Sequence, residues 1–412
     1  MSDVGAGVAA GTARDVLGHA HARARSLYVH VPFCFHKCHY CDFYSFVDSR
    51  DRQGAFVERL IEEMAFLAEH AGALRTVFVG GGTPTLLKVE LWERLLKAMG
   101  GLFDLGGLEE FTVECNPETA SAELFGVLKA GGVDRVSVGA QSFEPRHLKT
   151  LERWHEPGNV GRALELAHAA GIARRNVDLI YGIPGQTLEE WQGDVETALA
   201  LDPGVEHLSC YALTYEPNTA MTARLGRGEF VRADEDVEAD MYEWTVERLG
   251  RAGMRRYEVS NFARAGAEAK HNVVYWRQEG WLAGGPSASG HVVAEGGGWR
   301  WKNVARLTDW MDGVGANGGA SAVVDVERPD PRKALRERVM MGLRLEEGLD
   351  EEGLYAEARA AGCEEGVRGA VARERESGLV AEEGDGRVRV TARGMLMADG
   401  VARRVMGGVG KG

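Results

Sequence analysis

Between residues 27 and 213, short runs rich in β-branched residues alternate with longer amphipathic stretches, and this alternation constrains the fold more than any other feature. The runs are LYVHV (27–31), TVFVGG (76–81), FTVEC (111–115), RVSVGA (135–140), NVDLIYG (176–182) and HLSCYAL (207–213). Stretches such as FVERLIEEMAFLAEHAG (56–72), LWERLLKAMGGLF (91–103) and NVGRALELAHAAG (159–171) carry apolar residues at helical spacing. Six strand–helix units predict a parallel sheet covered by helices. Right-handed crossovers curl such a sheet into a partial (β/α)6 barrel; an open doubly wound sheet is the alternative, because six units fall short of the usual eight. In a barrel, reactive residues sit at or just past strand C-termini. The cysteine-rich segment CFHKCHYC (34–41) follows the first run and GGGTP (80–84) closes the second, Glu114 and Gln141 end the third and fourth, and Asp178 and Tyr211 lie in the last two.

Outside this core the reading is coarser. Residues 1–25 are rich in Gly, Ala and Arg, lack a signal-peptide core and carry Asp3 and Asp15, so a disordered leader is expected. The barrel core spans 26–225, and 226–300 forms an extension containing HNVVYW (271–276). Residues 301–412 read as a mainly helical, winged-helix-like domain, in which LVAEEGDGRVRVTARG (379–394) predicts two short strands about a Gly-Asp-Gly turn. With 48 Lys and Arg against 62 Asp and Glu, the net charge of −14 argues against a nucleic-acid surface. No apolar run approaches the roughly 20 residues that span a bilayer. Cys115, Cys210 and Cys363 are scattered, which suits reduced thiols in the cytoplasm.

Cys34, Cys38 and Cys41 are spaced x3 then x2, and no second half of the motif exists. Structural zinc takes four ligands, commonly in separated CxxC pairs. His30, His36 or His39 would have to complete such a site. Three thiolates on one compact loop instead suit three corners of a [4Fe–4S] cube, leaving one iron open. The polar neighbours His36, Lys37 and His39 predict an environment that favours thiolate.

CxxxCxxC directly after a first barrel strand, with Tyr40 before the third cysteine, resembles the signature of the radical S-adenosylmethionine (SAM) superfamily. The resemblance implies a radical-SAM barrel whose open iron takes the amino and carboxylate groups of SAM. GGGTPT (80–85) resembles the superfamily's amino-group motif, which brings in Gly81, Gly82 and Thr83. YVHVPFC (28–34) is similar to the entry strand of the oxygen-independent coproporphyrinogen-oxidase-like branch and makes Tyr28 a neighbour of the SAM sulfonium. On the same resemblance Glu114 in ECNP is a SAM-contacting acid, Gln141 in GAQSF and Asp178 in NVDLIYG contact the ribose, and Arg153 in LERWH pairs with the SAM carboxylate.

Within that branch, the oxidases that convert two propionates to vinyl groups have a fourth cysteine two residues after the third, where this chain has Phe43. They also have a longer segment before the cluster than the 33 residues here. CDFYSF, SCYALTYEPNT, YEVSNFA and HNVVYW resemble the heme-chaperone group instead. That resemblance implies heme as cargo, with His271 as an axial ligand and Tyr275, Trp276 and Trp281 as an apolar wall. The plain alternative places HNVVYW in the core. GGPSASGH (284–291) departs from the group's GPSAHS form. The expected partners are recipient hemoproteins, membrane-associated ones such as respiratory cytochromes among them, with a homodimer as one assembly and no nucleic acid. The rival readings are a radical enzyme acting on a tetrapyrrole and, least favoured, a nucleic-acid binder using the C-terminal region.

Overall fold

The computed structural model describes residues 11–381 and 384–410. Six parallel strands form its centre: β1 (Ala24–Val31), β2 (Ala71–Gly81), β3 (Glu110–Cys115), β4 (Arg135–Gln141), β5 (Arg174–Tyr181) and β6 (His207–Ala212). They lie side by side in chain order, so every neighbouring pair is parallel. Strand Leu282–Gly284 adds in parallel to the free edge of β1, and Asn261–Ala263 with Arg255–Arg256 adds antiparallel beyond β6. The two edges do not pair with each other among the described residues, so this is a partial barrel, as the six units predict.

Strand alternation explains both faces. Val77 and Val79, Phe111 and Val113, Val136 and Val138, and Val177 and Leu179 are fully buried against the covering helices. Helix Gln53–Ala68 meets them with Phe56, Val57, Leu60, Met64 and Leu67, a helical spacing that keeps one face apolar. The opposite parity carries Thr112 and Glu114, Arg135, Ser137 and Gly139, Asn176 and Asp178, and His207 and Ser209, all lining one interior cavity. The barrel interior is therefore polar, and the apolar core lies outside it.

Three expectations require correction. Residues 11–17 are not part of a disordered leader: Gly11–Thr12 pairs with strand Ala322–Glu327, and helix Ala13–Leu17 buries Ala13, Val16 and Leu17. Thr12 and Asp15 cap that helix reciprocally, and the apolar Val16 and Leu17 give it something to bury. Residues 1–10 lie outside the described residues. The boundary placed at residue 300 falls inside strand Gly297–Asn303, which pairs with Ser289–Ala294 on one side and Ala322–Glu327 on the other. The separate C-terminal core begins later, running from Leu335 to Val409 in a largely helical region. Finally, among the described residues the two arms of the expected hairpin form a single bridge, Val380 with Val390, and no ladder. Arg387–Val388 pairs with Leu349–Asp350 instead, because Leu349 and Val388 both belong to this second core.

A buried ion pair closes the barrel floor. Glu110 Oε2 accepts from Arg135 Nε at 3.1 Å and from the Lys270 amide at 2.9 Å, and Oε1 accepts from the His271 amide at 3.1 Å. Arg135 Nη2 donates to the Ala267 and Glu268 carbonyls at 2.7 and 3.2 Å. The pair thus holds the N-terminus of helix Lys270–Trp276 across the bottom of the sheet. Both side chains are essentially inaccessible, and breaking such a pair strands a charge at a cost of about 3–5 kcal/mol. Glu110→Gln is expected to lower unfolding free energy by about that amount in denaturant titrations and to speed amide exchange across 269–276. A loss below about 1 kcal/mol would show that the pair does not hold the floor.

Candidate functional site

The loop after β1 places Cys34, Cys38 and Cys41 at the mouth of an interior cavity of about 560 Å³. All three are free thiols; Cys34 is buried and the other two are half-buried. Cys34 Sγ accepts from Thr83 Oγ1 at 3.7 Å, and Cys38 Sγ from Arg153 Nη1 at 3.8 Å. Among the described residues, no three His, Cys, Asp or Glu side chains group as they would around a single metal ion. Three thiols on one loop are the donor set of a cluster that leaves one iron open, whereas structural zinc takes four ligands.

The polar neighbours are outweighed, although Lys37 does pull Cys41 toward thiolate. Lys37 Nζ turns to the carbonyls of Phe43 and Ser45, His36 stacks on Trp154 with ring centres 4.2 Å apart, and His39 Nδ1 meets Arg224 at 3.0 Å. Burial dominates in their place: it raises the Cys34 thiol and pushes Cys41 up to about 11. In the cluster-free protein these groups are protonated, and binding iron must release their protons.

GGGTP closes against the same loop. Gly82 N donates to Val31 O and Thr83 N to Phe33 O, both at 2.7 Å, while Gly81 N donates to Glu114 Oε2 at 3.0 Å. A Cβ on Gly82 would lie 2.6 Å from the Phe33 carbonyl, and Gly81 has φ of 109° with the His30 ring packed against it. The glycines therefore let β2 pack directly against the chain entering the cysteine loop.

The carboxylates follow the same inward parity. Glu114 reaches the cavity from β3, and burial raises it to about 8, with the Asp178 charge adding and the Gly81 amide opposing. Asp178 is also raised by burial, although Ser137 Oγ at 2.9 Å and Asn176 Nδ2 at 2.8 Å donate to it. Gln141 lines the wall in the left-handed conformation, with φ of 66°. Arg153 extends into the same space and donates Nη2 to the Gly139 carbonyl at 2.8 Å. Its Nε, Arg135 Nη1 and Thr112 Oγ1 are buried without a hydrogen-bond partner, and all three belong to residues of the cavity wall. A space bounded by the Glu114 and Asp178 carboxylates, the Arg153 and Arg135 guanidiniums and unfilled donors suits a zwitterionic ligand.

Two carried-over residues land elsewhere. Tyr28 stands behind Phe78, stacked at 6.2 Å, and its hydroxyl meets His30 Nδ1 at 2.9 Å; Phe78, not Tyr28, faces the cavity. His271 is fully buried, with Nδ1 on Thr76 Oγ1 and Nε2 on Tyr275 Oη, both at 2.8 Å. Both ring nitrogens are occupied and burial holds the imidazole neutral, down to about 3, so in this arrangement it has no atom left for iron. Trp281 likewise commits its Nε1 to Ser289 O at 2.8 Å and packs edge-on against Tyr275. Residues missed from sequence include Ser137, Asn176, Ser209 and His207. Their signal was present as polar residues at alternate positions of otherwise apolar strands.

A partial barrel whose first loop carries CxxxCxxC over a cavity with these groups is the arrangement of a radical SAM protein, and residues 28–198 match the Radical SAM superfamily. The chain is 37% identical to the heme chaperone HemW of Mycobacterium tuberculosis (strain ATCC 25618 / H37Rv) over 387 residues, 92% of this chain and 94% of that one. To heme chaperone HemW of Bacillus subtilis (strain 168) it is 35% identical over 328 residues, 79% and 84% of the two chains. Among solved structures, coproporphyrinogen III oxidase (HemN) from Escherichia coli superposes with a TM-score of 0.79 at 22% identity, covering 94% of this chain and 91% of that one, a likeness of fold. The chain belongs to the HemW family.

The raised Glu114 carries a pH prediction. Its folded pKa lies above the unfolded value near 4.5, so its contribution to stability is intact below that value and is lost as pH rises through about 8. Glu114→Gln should flatten this part of the ligand-free protein's Tm-versus-pH curve. An unchanged slope would mean the carboxylate is not desolvated.

Proposed function

We propose that this protein is a heme chaperone: it binds heme, holds a [4Fe–4S] cluster on Cys34, Cys38 and Cys41 with SAM in the barrel cavity, and hands heme to hemoproteins. The observation that carries the reading is the family membership, which extends through 94% of a relative named as a heme chaperone. Phe43, 59% exposed at the position where the oxidases have a further cysteine, supports the chaperone over the oxidase. Recipient hemoproteins at a membrane and a homodimeric state belong to the same proposal. Among the described residues no helix is long and apolar enough to cross a membrane.

A cluster held by three thiolates supplies an iron open to SAM and a one-electron route to it. The chain's own part is binding and orientation. Arg153, enclosed beside Cys38, is the cation for a carboxylate. Glu114 and Asp178, both held toward the neutral form by burial, ionise more readily when a cationic ligand group enters. The Gly81, Gly82 and Thr83 amides are all committed, so what this loop has left for an ammonium is acceptor oxygen and not N–H. Gln141 and Asp178 remain for the ribose hydroxyls.

Replacing Cys34, Cys38 or Cys41 by Ser should abolish the brown chromophore of the anaerobically reconstituted protein, whereas Ser at Cys115, Cys210 or Cys363 should leave it. The reconstituted protein, incubated with dithionite, SAM and coproporphyrinogen III, should yield no two-vinyl product. Formation of protoporphyrinogen would sink the chaperone reading in favour of a radical enzyme acting on tetrapyrroles.

A further inference from the structure

Helix Lys270–Trp276 separates two cavities. His271, Asn272 and Tyr275 face the barrel interior, whereas Lys270, Val273, Val274 and Arg277 face a second cavity of about 750 Å³ at the opposite end of the strands. That cavity lies between the barrel floor, strand Ser289–Ala294 and the start of the C-terminal region at Leu345–Glu347. Val273, Val274, Val292, Val293 and Leu345 supply the apolar part of its lining, and Val293 is left 49% exposed.

Charge distinguishes this cavity from an ordinary cleft. It is lined by eight cationic side chains against five acidic ones, on a chain whose net charge is −14. Five of the cations are ion-paired in place: Arg75 and Lys270 on Glu109, Arg256 on Glu346, Arg277 on Glu347 and Arg389 on Asp385. Three are not. Arg23 and Arg25 spend their guanidiniums on the Ala71 and Ala73 carbonyls at 3.2 Å each, and Arg255 makes no side-chain hydrogen bond or ion pair among the described residues. All three are exposed. Among the described residues no His, Cys or Met lines the cavity, and the Tyr257 hydroxyl is taken up by His207 Nε2 at 2.9 Å.

We propose that this second cavity is the heme site, an inference that rests on the chaperone reading above. A porphyrin is a flat apolar body with two carboxylates on one edge; the valine wall takes the body and Arg23, Arg25 and Arg255 take the carboxylates. HNVVYW then serves heme through its other face, Val273 and Val274, while His271 braces the barrel. Binding runs through the propionates and the ring face without a strong axial ligand, a design suited to a carrier that must release its cargo.

The test uses the full reconstituted chain, titrated with hemin, metal-free protoporphyrin IX and its dimethyl ester. Wild type should bind hemin and protoporphyrin with similar affinity and the ester roughly tenfold or more weakly, with hemin affinity falling as salt rises. Combined Arg25→Glu and Arg255→Glu, or Val293→Glu alone, should weaken hemin binding by roughly tenfold. These side chains are exposed, and an unchanged Tm verifies the fold. Wild type that fails to bind hemin overturns the chaperone reading itself. Hemin binding that survives these substitutions but is lost in His271→Ala overturns only this cavity, as does hemin binding far tighter than metal-free porphyrin, which would require an iron ligand.

Discussion

The site depends on one enclosed cation. Arg153 reaches from the segment after β4 to Cys38 Sγ and the Gly139 carbonyl, joining the cysteine loop to the wall of the barrel. Burial opposes its charge, but a guanidinium does not give up its proton in a protein, so Arg153 stays cationic. Around it stand thiols and carboxylates that burial holds in their neutral forms. In low dielectric such groups gain far more from a partner than they would in water. The cavity is thus set to ionise when it fills, and Arg153 is the fixed charge against which that happens.

The rest of the barrel makes that space possible. Inward positions are polar and outward positions apolar, so stability comes from strand–helix packing and the interior is left free to bind. The Glu110–Arg135 pair then closes the floor and, by holding the amides of Lys270 and His271, converts one short helix into a partition between two cavities. On one side of the partition lie the groups proposed for the cluster and SAM. The other side is apolar and arginine-rimmed, chemistry that the first side lacks.

Much of this was legible in the sequence. All six strands are where the β-branched runs placed them, because parallel strands covered by helices must be apolar on their outer face whatever the interior does. The polar strand-end residues were legible for the same reason: Glu114, Gln141 and Asp178 interrupt that pattern. Three-dimensional proximity was not. Lys37 and His36 adjoin the cysteines in sequence, but burial of the thiols, which sequence does not show, outweighs the pull of Lys37 toward thiolate. HNVVYW could be recognised as a motif, but only packing decides that His271 points inward to Thr76 and Tyr275. Gly/Ala-rich composition hid the short helix Ala13–Leu17, whose three buried residues are too few to register against that background.

The central claim is that the barrel cavity receives SAM against Arg153. Arg153→Met keeps the length of the side chain and removes only its charge and hydrogen bonds. In anaerobically reconstituted protein with iron and sulfide contents matching wild type, equilibrium binding should show SAM affinity falling by at least roughly tenfold. Wild-type SAM affinity in that variant, with the cluster intact, would contradict the account.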